Sequence, residues 1–213
     1  MSSISIVGTG NMARAIGALA VAGGNTVEVI GRDRAKAVDL AKALGDSVAT
    51  GEFGAVPSGD IVIVSLLYAS VVPVVAQYGD ALAGKVIVDI SNPFNSEADG
   101  LAIPDDTSIA QEVAKAAPAS ASVVKAFNTI FGVVLAQGRP LDVFIAGDDA
   151  RAKAGVAEFI ESLGQVGGLG LIAADDLDGV AARHREPTNG LRHVPRPDDA
   201  DAAHGAYLHS ERG

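Results

Sequence analysis

The first 35 residues constrain the fold more than any other stretch of the chain. A short apolar run, Ile4–Val7, stops at Gly8, and a glycine turn then leads into an alanine-rich segment, 13–22, of helical character. A second apolar run, Thr26–Ile30, follows at the distance expected for a strand–helix–strand unit. This order predicts an α/β fold in which the first two strands are parallel neighbours.

The residues of the glycine turn favour binding of a dinucleotide. Gly8 allows the sharp turn, Gly10 lets a phosphate approach the backbone, and Ala13 is small enough for the helix to pack on the strand. The N-terminus of that helix offers unpaired N–H groups and a partial positive charge to a pyrophosphate. The alternative is a glycine turn in an α/β protein that binds no ligand.

The residues after the second strand favour NADP(H) over NAD(H). An NAD-selective site carries an acidic residue at this point, whereas this chain has Gly31 and Arg32, with Lys36 close behind. A guanidinium group matches a 2′-phosphate in shape and charge. Asp33 argues for NAD, but we interpret it as the N-cap of the next helix. The alternative is that Arg32, Arg34 and Lys36 are solvated charges at a helix start.

Composition sets the broad class of the protein. At 213 residues and 48% hydrophobic content, the chain can bury the core of one domain, with strands covered by helices on both faces. A net charge of −10 argues against nucleic acids and anionic membranes as partners. The chain has no cysteine, so thiol chemistry is excluded. No signal-peptide pattern or membrane-spanning apolar run is present, which predicts a cytoplasmic protein.

Apolar runs and helical segments alternate through residues 1–164. This alternation predicts a doubly wound, Rossmann-type, mostly parallel sheet as an NADP-binding domain over 1–164. Beyond the first unit, we expect strands at 47–50, 60–66, 85–91, 122–127 and 142–147, and helices at 34–44, 69–82, 108–115, 130–137 and 150–163.

The C-terminal segment, 165–213, differs from the rest. From Gly179 onward, five arginines balance five acidic residues, and no apolar periodicity is visible. We predict a small, atypical and largely irregular segment. All four histidines of the chain lie here, but none pairs with another at the spacing of a metal site: His184, His193, His204 and His209.

The predicted domain is poor in acid and base groups. It contains no histidine, and Lys125 is the one lysine within a predicted central strand. Lys125 can pair with a buried carboxylate such as Asp89. Hydride transfer between two bound rings needs mostly proximity and orientation, so we expect no catalytic side chain.

Small polar residues follow two of the predicted strands. Asn92, Pro93 and Phe94 come after one strand, and Asn128 comes after the next. Because ligands bind at the carboxyl ends of strands in open α/β sheets, we expect these residues to line the site. Loop capping is the alternative for the asparagines, and core packing is the alternative for Phe94.

Five segments together resemble the NADPH-dependent coenzyme F420 reductases, the F420:NADP oxidoreductases. This family transfers a hydride between NADP(H) and an 8-hydroxy-5-deazaflavin. The resemblance covers roughly residues 1–164 and is specific as a set. The segments are Gly-Thr-Gly-Asn-Met-Ala at 8–13, Gly-Arg-Asp at 31–33, Val-Asp-Ile-Ser-Asn-Pro-Phe at 88–94, Val-Lys-Ala-Phe-Asn-Thr at 124–129 and Phe-Ile-Ala-Gly-Asp-Asp at 144–149.

The resemblance implies a homodimer that binds NADP(H), with coenzyme F420 as co-substrate and no dedicated acid or base residue. It also implies which residues meet the cofactors: Thr9, Asn11 and Met12 at the pyrophosphate, Arg32 and Lys36 at the 2′-phosphate, Leu66, Leu67 and Tyr68 along the cofactor, and Asn92 and Pro93 near the nicotinamide and deazaflavin.

Two other functions remain open at this point. One is an NADPH-dependent reductase of another small acceptor, such as an imine, a ferric chelate or a carbonyl. The other is a non-catalytic NADP-binding sensor. The second gains weight because 182–187 only weakly matches the family pattern and the family's apolar C-terminal helix does not follow.

Overall fold

The computed structural model describes residues 1–95, 97, 100–104, 106–137 and 141–164, together with the backbone of two further strands. The strands are β1 Ser3–Val7, β2 Thr26–Ile30, β3 Ala49–Thr50, β4 Ile61–Val64, β5 Val86–Asp89, β6 Ser122–Ala126, β7 Leu141–Ala146, β8 Leu169–Ala174 and β9 Arg192–His193. The helices are α1 Asn11–Ala22, α2 Arg34–Leu44, α3 Tyr68–Tyr78, α4 Ile109–Ala116, α5 Gly132–Leu135 and α6 Ala150–Leu163.

The strands of the described residues form one sheet in the order β3-β2-β1-β4-β5-β6-β7-β8-β9. Neighbours from β3 through β6 are parallel, whereas β7 runs antiparallel to β6. The chain leaves β1 toward β2 on one side and later returns to β4 on the other. This is the doubly wound, Rossmann-type order, so the predicted fold class is confirmed.

Apolar side chains on both faces of the sheet hold the layers together. In β4, Ile61 and Ile63 pack on one face, and Val62 and Val64 pack on the other. Helices α1, α2 and α6 cover the first face, and α3 and α4 cover the second. Burial on both faces explains why the central strands read as continuous apolar runs without alternation.

Side-chain caps define where three helices begin. Asp33 caps α2 by accepting hydrogen bonds from the backbone N–H groups of Ala35 and Lys36, at 3.1 and 3.2 Å, as the sequence predicts. Asp149 caps α6 in the same way. Ser108 begins α4 in a reciprocal capping box with Gln111.

Several predicted elements extend further along the chain than the observed ones. The helix expected over 69–82 ends at Tyr78, because Gly79 adopts a φ of +48° that an α-helix cannot continue, and a 3-10 turn, Gly79–Leu82, follows. The segment 130–137 forms only one turn, Gly132–Leu135.

The prediction of an irregular segment over 165–213 lies mostly outside the described residues. Two backbone strands are described there. β8 pairs in parallel with β7, and β9 pairs antiparallel with β8. Within the part of the chain that the structure describes, no helix has both the length and the apolar character to cross a membrane.

A buried polar network joins β1, β2 and the connection that precedes β4. The Ser5 hydroxyl donates to the Glu28 carboxylate at 2.6 Å and accepts the Gly59 N–H at 2.8 Å. The same carboxylate accepts the Ser58 N–H at 2.9 Å. Ser5 is fully buried, so each of these groups depends on a protein partner instead of water.

We expect Ser5→Ala to lower the unfolding free energy by about 1–3 kcal/mol, because it leaves the Gly59 N–H buried without a partner. Ser3→Ala is the matched control. Ser3 makes the same pair of hydrogen bonds, with the carboxylate and the N–H of Asp60, but in an exposed position. Its loss is expected to stay within about 0.5 kcal/mol. Urea unfolding measures both variants, and equal losses would contradict the role of burial.

Candidate dinucleotide site

A cavity of about 640 Å³ lies at the carboxyl ends of β1, β4 and β5. This is the point where the strand order reverses and where open α/β sheets bind their ligands. Its lining carries no charged side chain among the described residues. The lining residues are Gly10, Asn11, Met12, Ser65, Leu66, Leu67, Tyr68, Ala69, Ile90, Ser91, Asn92 and Phe94.

The glycine turn places the end of β1 directly against the end of β4. Gly8 has a φ of +134°, and its N–H donates to the Ile30 carbonyl oxygen at 2.8 Å. A Cβ atom at this position would lie 2.2 Å from the Ser65 carbonyl oxygen, so only glycine fits.

Gly10 has a different role from Gly8. Its backbone is in an extended conformation, with φ of −82°, and a Cβ atom added to it would meet nothing within 4 Å. Gly10 lines the cavity, so this open space faces the candidate ligand. Ala13 is fully buried in the layer between α1 and the sheet, as the sequence predicts for the third small residue.

Two helices begin at this cavity without a side-chain cap. Neither Gly10 at the start of α1 nor Leu67 at the start of α3 provides a capping hydrogen bond, and neither helix has an acidic residue in its first turn. Helices α2, α4 and α6 are all capped by side chains. The first N–H groups of α1 and α3 therefore favour an anionic ligand in the space between them.

The cationic residues predicted for the 2′-phosphate lie at the end of β2. Arg32 and Lys36 are exposed, and the Lys36 ammonium lies 3.8 Å from the Asp33 carboxylate. Gly31 adjoins the glycine turn, since a Cβ atom there would lie 3.0 Å from the Thr9 methyl carbon. Thr9, Gly31, Arg32 and Lys36 are all outside the lining of the cavity.

The carboxyl ends of β5 and β6 meet at the far side of the cavity. The Asn92 amide donates to the Asn128 carbonyl oxygen at 2.5 Å, and the Asn128 amide donates to the Asn92 side-chain oxygen at 3.3 Å. Pro93 is buried beside them, and neither Pro93 nor Asn128 is part of the lining, although both were expected there. Phe94 and Leu67 line the cavity with 48% and 84% of their surfaces exposed, so Phe94 is not a core residue.

Lys125 forms a buried ion pair behind this part of the cavity, as the sequence suggested. Its ammonium donates to the Asp89 carboxylate at 2.7 Å and to the Ser91 carbonyl oxygen. The other carboxylate oxygen of Asp89 accepts the Ser91 N–H at 3.0 Å. Burial lowers the pKa of Lys125, and the Asp89 charge opposes that change.

Four lining residues were missed by the sequence analysis: Ser65, Ala69, Ile90 and Ser91. The predicted strands 60–66 and 85–91 included three of them. The observed strands end at Val64 and Asp89, so the chain turns into the cavity earlier than the apolar runs suggest. The available signal was the first serine after each buried run.

The arrangement of these residues fits a dinucleotide whose diphosphate lies at the glycine turn, with one nucleoside on each side. Gly10 leaves space for a group next to the backbone, and two uncapped helix N-termini favour its negative charge. The cations at the end of β2 lie on one side of the glycine turn, and the uncharged lining lies on the other. The fold and site define a Rossmann-type, dinucleotide-binding class of protein.

Comparison with known proteins finds a match to one family over part of the chain. Residues 3–93 match the family described as "NADP oxidoreductase coenzyme F420-dependent". The chain is 28% identical to the F420-dependent NADP reductase of Methanocaldococcus jannaschii, over 80% of this chain and 82% of that protein.

Two further relatives share this domain. The metalloreductase STEAP3 of Rattus norvegicus is 33% identical over 76% of this chain, which spans only 32% of that protein's length. A solved structure from Arthrobacter sp. FB24, assigned as an F420-dependent NADP reductase, has a TM-score of 0.72 and 25% identity. That match covers 87% of this chain and 90% of the other.

The two glycines should respond differently to alanine. Gly8→Ala is expected to lower the unfolding free energy by about 2–5 kcal/mol, because it adds a backbone clash to a strained φ. Gly10→Ala should stay within about 0.5 kcal/mol of wild type. It should weaken NADPH binding roughly tenfold, since the methyl group occupies the open space. Thermal unfolding and calorimetry measure the two effects, and unchanged NADPH affinity in Gly10→Ala would contradict the proposed phosphate position.

Arg32→Ala should lower the affinity for NADPH by roughly ten- to a hundredfold, the value of a lost charge-assisted hydrogen bond. NADH affinity should not change, because NADH lacks the 2′-phosphate. Lys42→Ala is the control, since Lys42 is an exposed cation in the last turn of α2, at the far end of the helix that follows Arg32. Equal losses for both dinucleotides would contradict a 2′-phosphate contact.

Proposed function

We propose that the protein transfers a hydride between NADP(H) and the deazaflavin coenzyme F420. The observation that carries this proposal is the uncharged cavity that runs from the start of α1 to Asn92. Bound NADPH supplies the hydride, and reduction of the deazaflavin is completed by one proton from solvent. The family match over residues 3–93 supports the same pair of cofactors.

The residues of the site can bind and orient the dinucleotide, and direct hydride transfer requires little further chemistry from side chains. Backbone N–H groups of α1 hold the diphosphate, and Arg32 with Lys36 holds the 2′-phosphate. Strand order then directs the other half of the dinucleotide across β4 to β5, toward Ser91 and Asn92.

The rim of the cavity suits a flat acceptor. Leu67 and Phe94 expose apolar surface next to the uncharged lining, and Tyr68 is the one titratable side chain among the described lining residues. Holding two rings in contact supplies a large part of the rate enhancement for direct hydride transfer. A carbonyl acceptor would instead require an acid in the site, and Tyr68 would be the one described lining side chain to supply it.

Reduction of a ferric chelate is the second candidate function. The observation that favours it is the 33% identity to a metalloreductase over 76% of this chain. Within the described residues, no cluster of histidine, aspartate or glutamate side chains could hold a metal ion.

Mixing the full chain with NADPH and oxidised coenzyme F420 tests the proposal. We expect rapid loss of deazaflavin absorbance with NADPH and little with NADH. Calorimetry with NADPH alone is the control for an intact dinucleotide site. If NADPH binds but the deazaflavin is not reduced, the F420 assignment is wrong, and reduction of ferric citrate under the same conditions tests the second candidate.

A further inference from the structure

The buried ion pair of Lys125 and Asp89 lies next to the cavity without lining it. Asp89 is fully buried, and Lys125 is 5% exposed. The two residues are direct partners at the last paired positions of β5 and β6. Neither can touch a ligand, so any effect on the site must pass through a neighbouring residue.

Ser91 is that neighbour, because both of its backbone polar groups are held by the pair. Its N–H donates to Asp89 at 3.0 Å, and its carbonyl oxygen accepts from Lys125. Ser91 precedes Asn92, and both residues line the cavity. The ion pair therefore fixes the peptide that determines the direction of the Asn92 side chain.

The chain after β6 completes the arrangement. Phe127 adopts a φ of +57°, the left-handed region that a bulky side chain rarely occupies. This conformation directs Asn128 toward Asn92, whose carboxamide donates to the Asn128 backbone carbonyl oxygen and accepts from the Asn128 carboxamide. A strained residue is retained only where its surroundings over-determine it, and such residues cluster at functional sites.

We propose that Lys125 and Asp89 are positioning residues, which fix Ser91 and thereby orient the Asn92–Asn128 pair at the reacting end of the cavity. This inference rests on the hydride-transfer function proposed above. Because the rate of such a transfer depends on ring position, a small displacement of Asn92 should slow the reaction while leaving the diphosphate contacts intact.

The alternative is that the ion pair only stabilises the fold. Removing one partner cannot distinguish a positioning role from a structural one, because it leaves an unpaired buried charge that destabilises any protein. Replacing both partners with apolar residues avoids this problem, because such exchanges are often neutral for stability. The apolar double variant, Asp89→Leu/Lys125→Met, removes both bonds to Ser91. The amide double variant, Asp89→Asn/Lys125→Met, keeps an acceptor for the Ser91 N–H.

Three measurements on the folded variants test the proposal. We expect the NADPH dissociation constant to stay within about twofold of wild type, while single-turnover hydride transfer at saturating NADPH falls by roughly ten- to a hundredfold. The side-chain amide resonances of Asn92 and Asn128, recorded without ligand, should move to the positions of solvent-exposed carboxamides. The amide double variant should lie between wild type and the apolar double variant in both rate and resonances. It also provides the test by itself if the apolar double variant does not fold.

Lys85→Met is the matched control. Lys85 directly precedes β5, at the end of the strand opposite the cavity. Its ammonium lies 3.9 Å from the exposed Asp60 carboxylate. It should change neither the rate nor the two amide resonances. Unchanged resonances in folded double variants would overturn the positioning role. If wild-type protein does not reduce coenzyme F420, the proposed function fails, and the amide resonances still decide the role of the ion pair.

Discussion

The contact between Gly8 and the Ser65 backbone is the constraint on which the site depends. A Cβ atom at Gly8 would overlap the Ser65 carbonyl oxygen, so the turn exists only because the residue is glycine. The close contact brings the ends of β1 and β4 together at the switch point of the sheet. It also directs the first turn of α1 over the same edge where α3 begins. One missing side chain thus permits both the turn and the cavity beside it.

Among the helices longer than one turn, side-chain caps distinguish the ends that need no ligand from the ends that lie at the cavity. Asp33 and Asp149 satisfy the first N–H groups of α2 and α6, so these ends need no ligand. The starts of α1 and α3 have no such side chain, and both lie at the cavity. Uncapped N–H groups in a cavity cost stability unless an anion or water satisfies them. Their convergence is therefore a stronger indication of a phosphate site than the glycine motif alone.

Local sequence patterns predicted the features that depend on neighbouring residues along the chain. The cap at Asp33 and the strand Thr26–Ile30 were expected, and Asp89 was named as one carboxylate that could pair with Lys125. The ends of β4 and β5 were not predicted, since the length of a strand is set by its neighbours in the sheet. Ser65 and Ser91 were therefore assigned to strands when they belong to the cavity.

No local sequence pattern predicts the contact between Asn92 and Asn128. The sequence placed both residues after strands, but their contact requires the left-handed conformation of Phe127, which propensity argues against. Along the carboxyl ends of the strands, the charge of the groups that follow each strand changes in one direction across the sheet. Exposed cations lie after β2, uncapped helix ends after β1 and β4, and neutral carboxamides after β5 and β6. A nucleotide with phosphates at one end and an uncharged reactive ring at the other has this same polarity. Under the proposed function, the order of the strands, and not a single motif, would determine which end of a bound dinucleotide meets the acceptor.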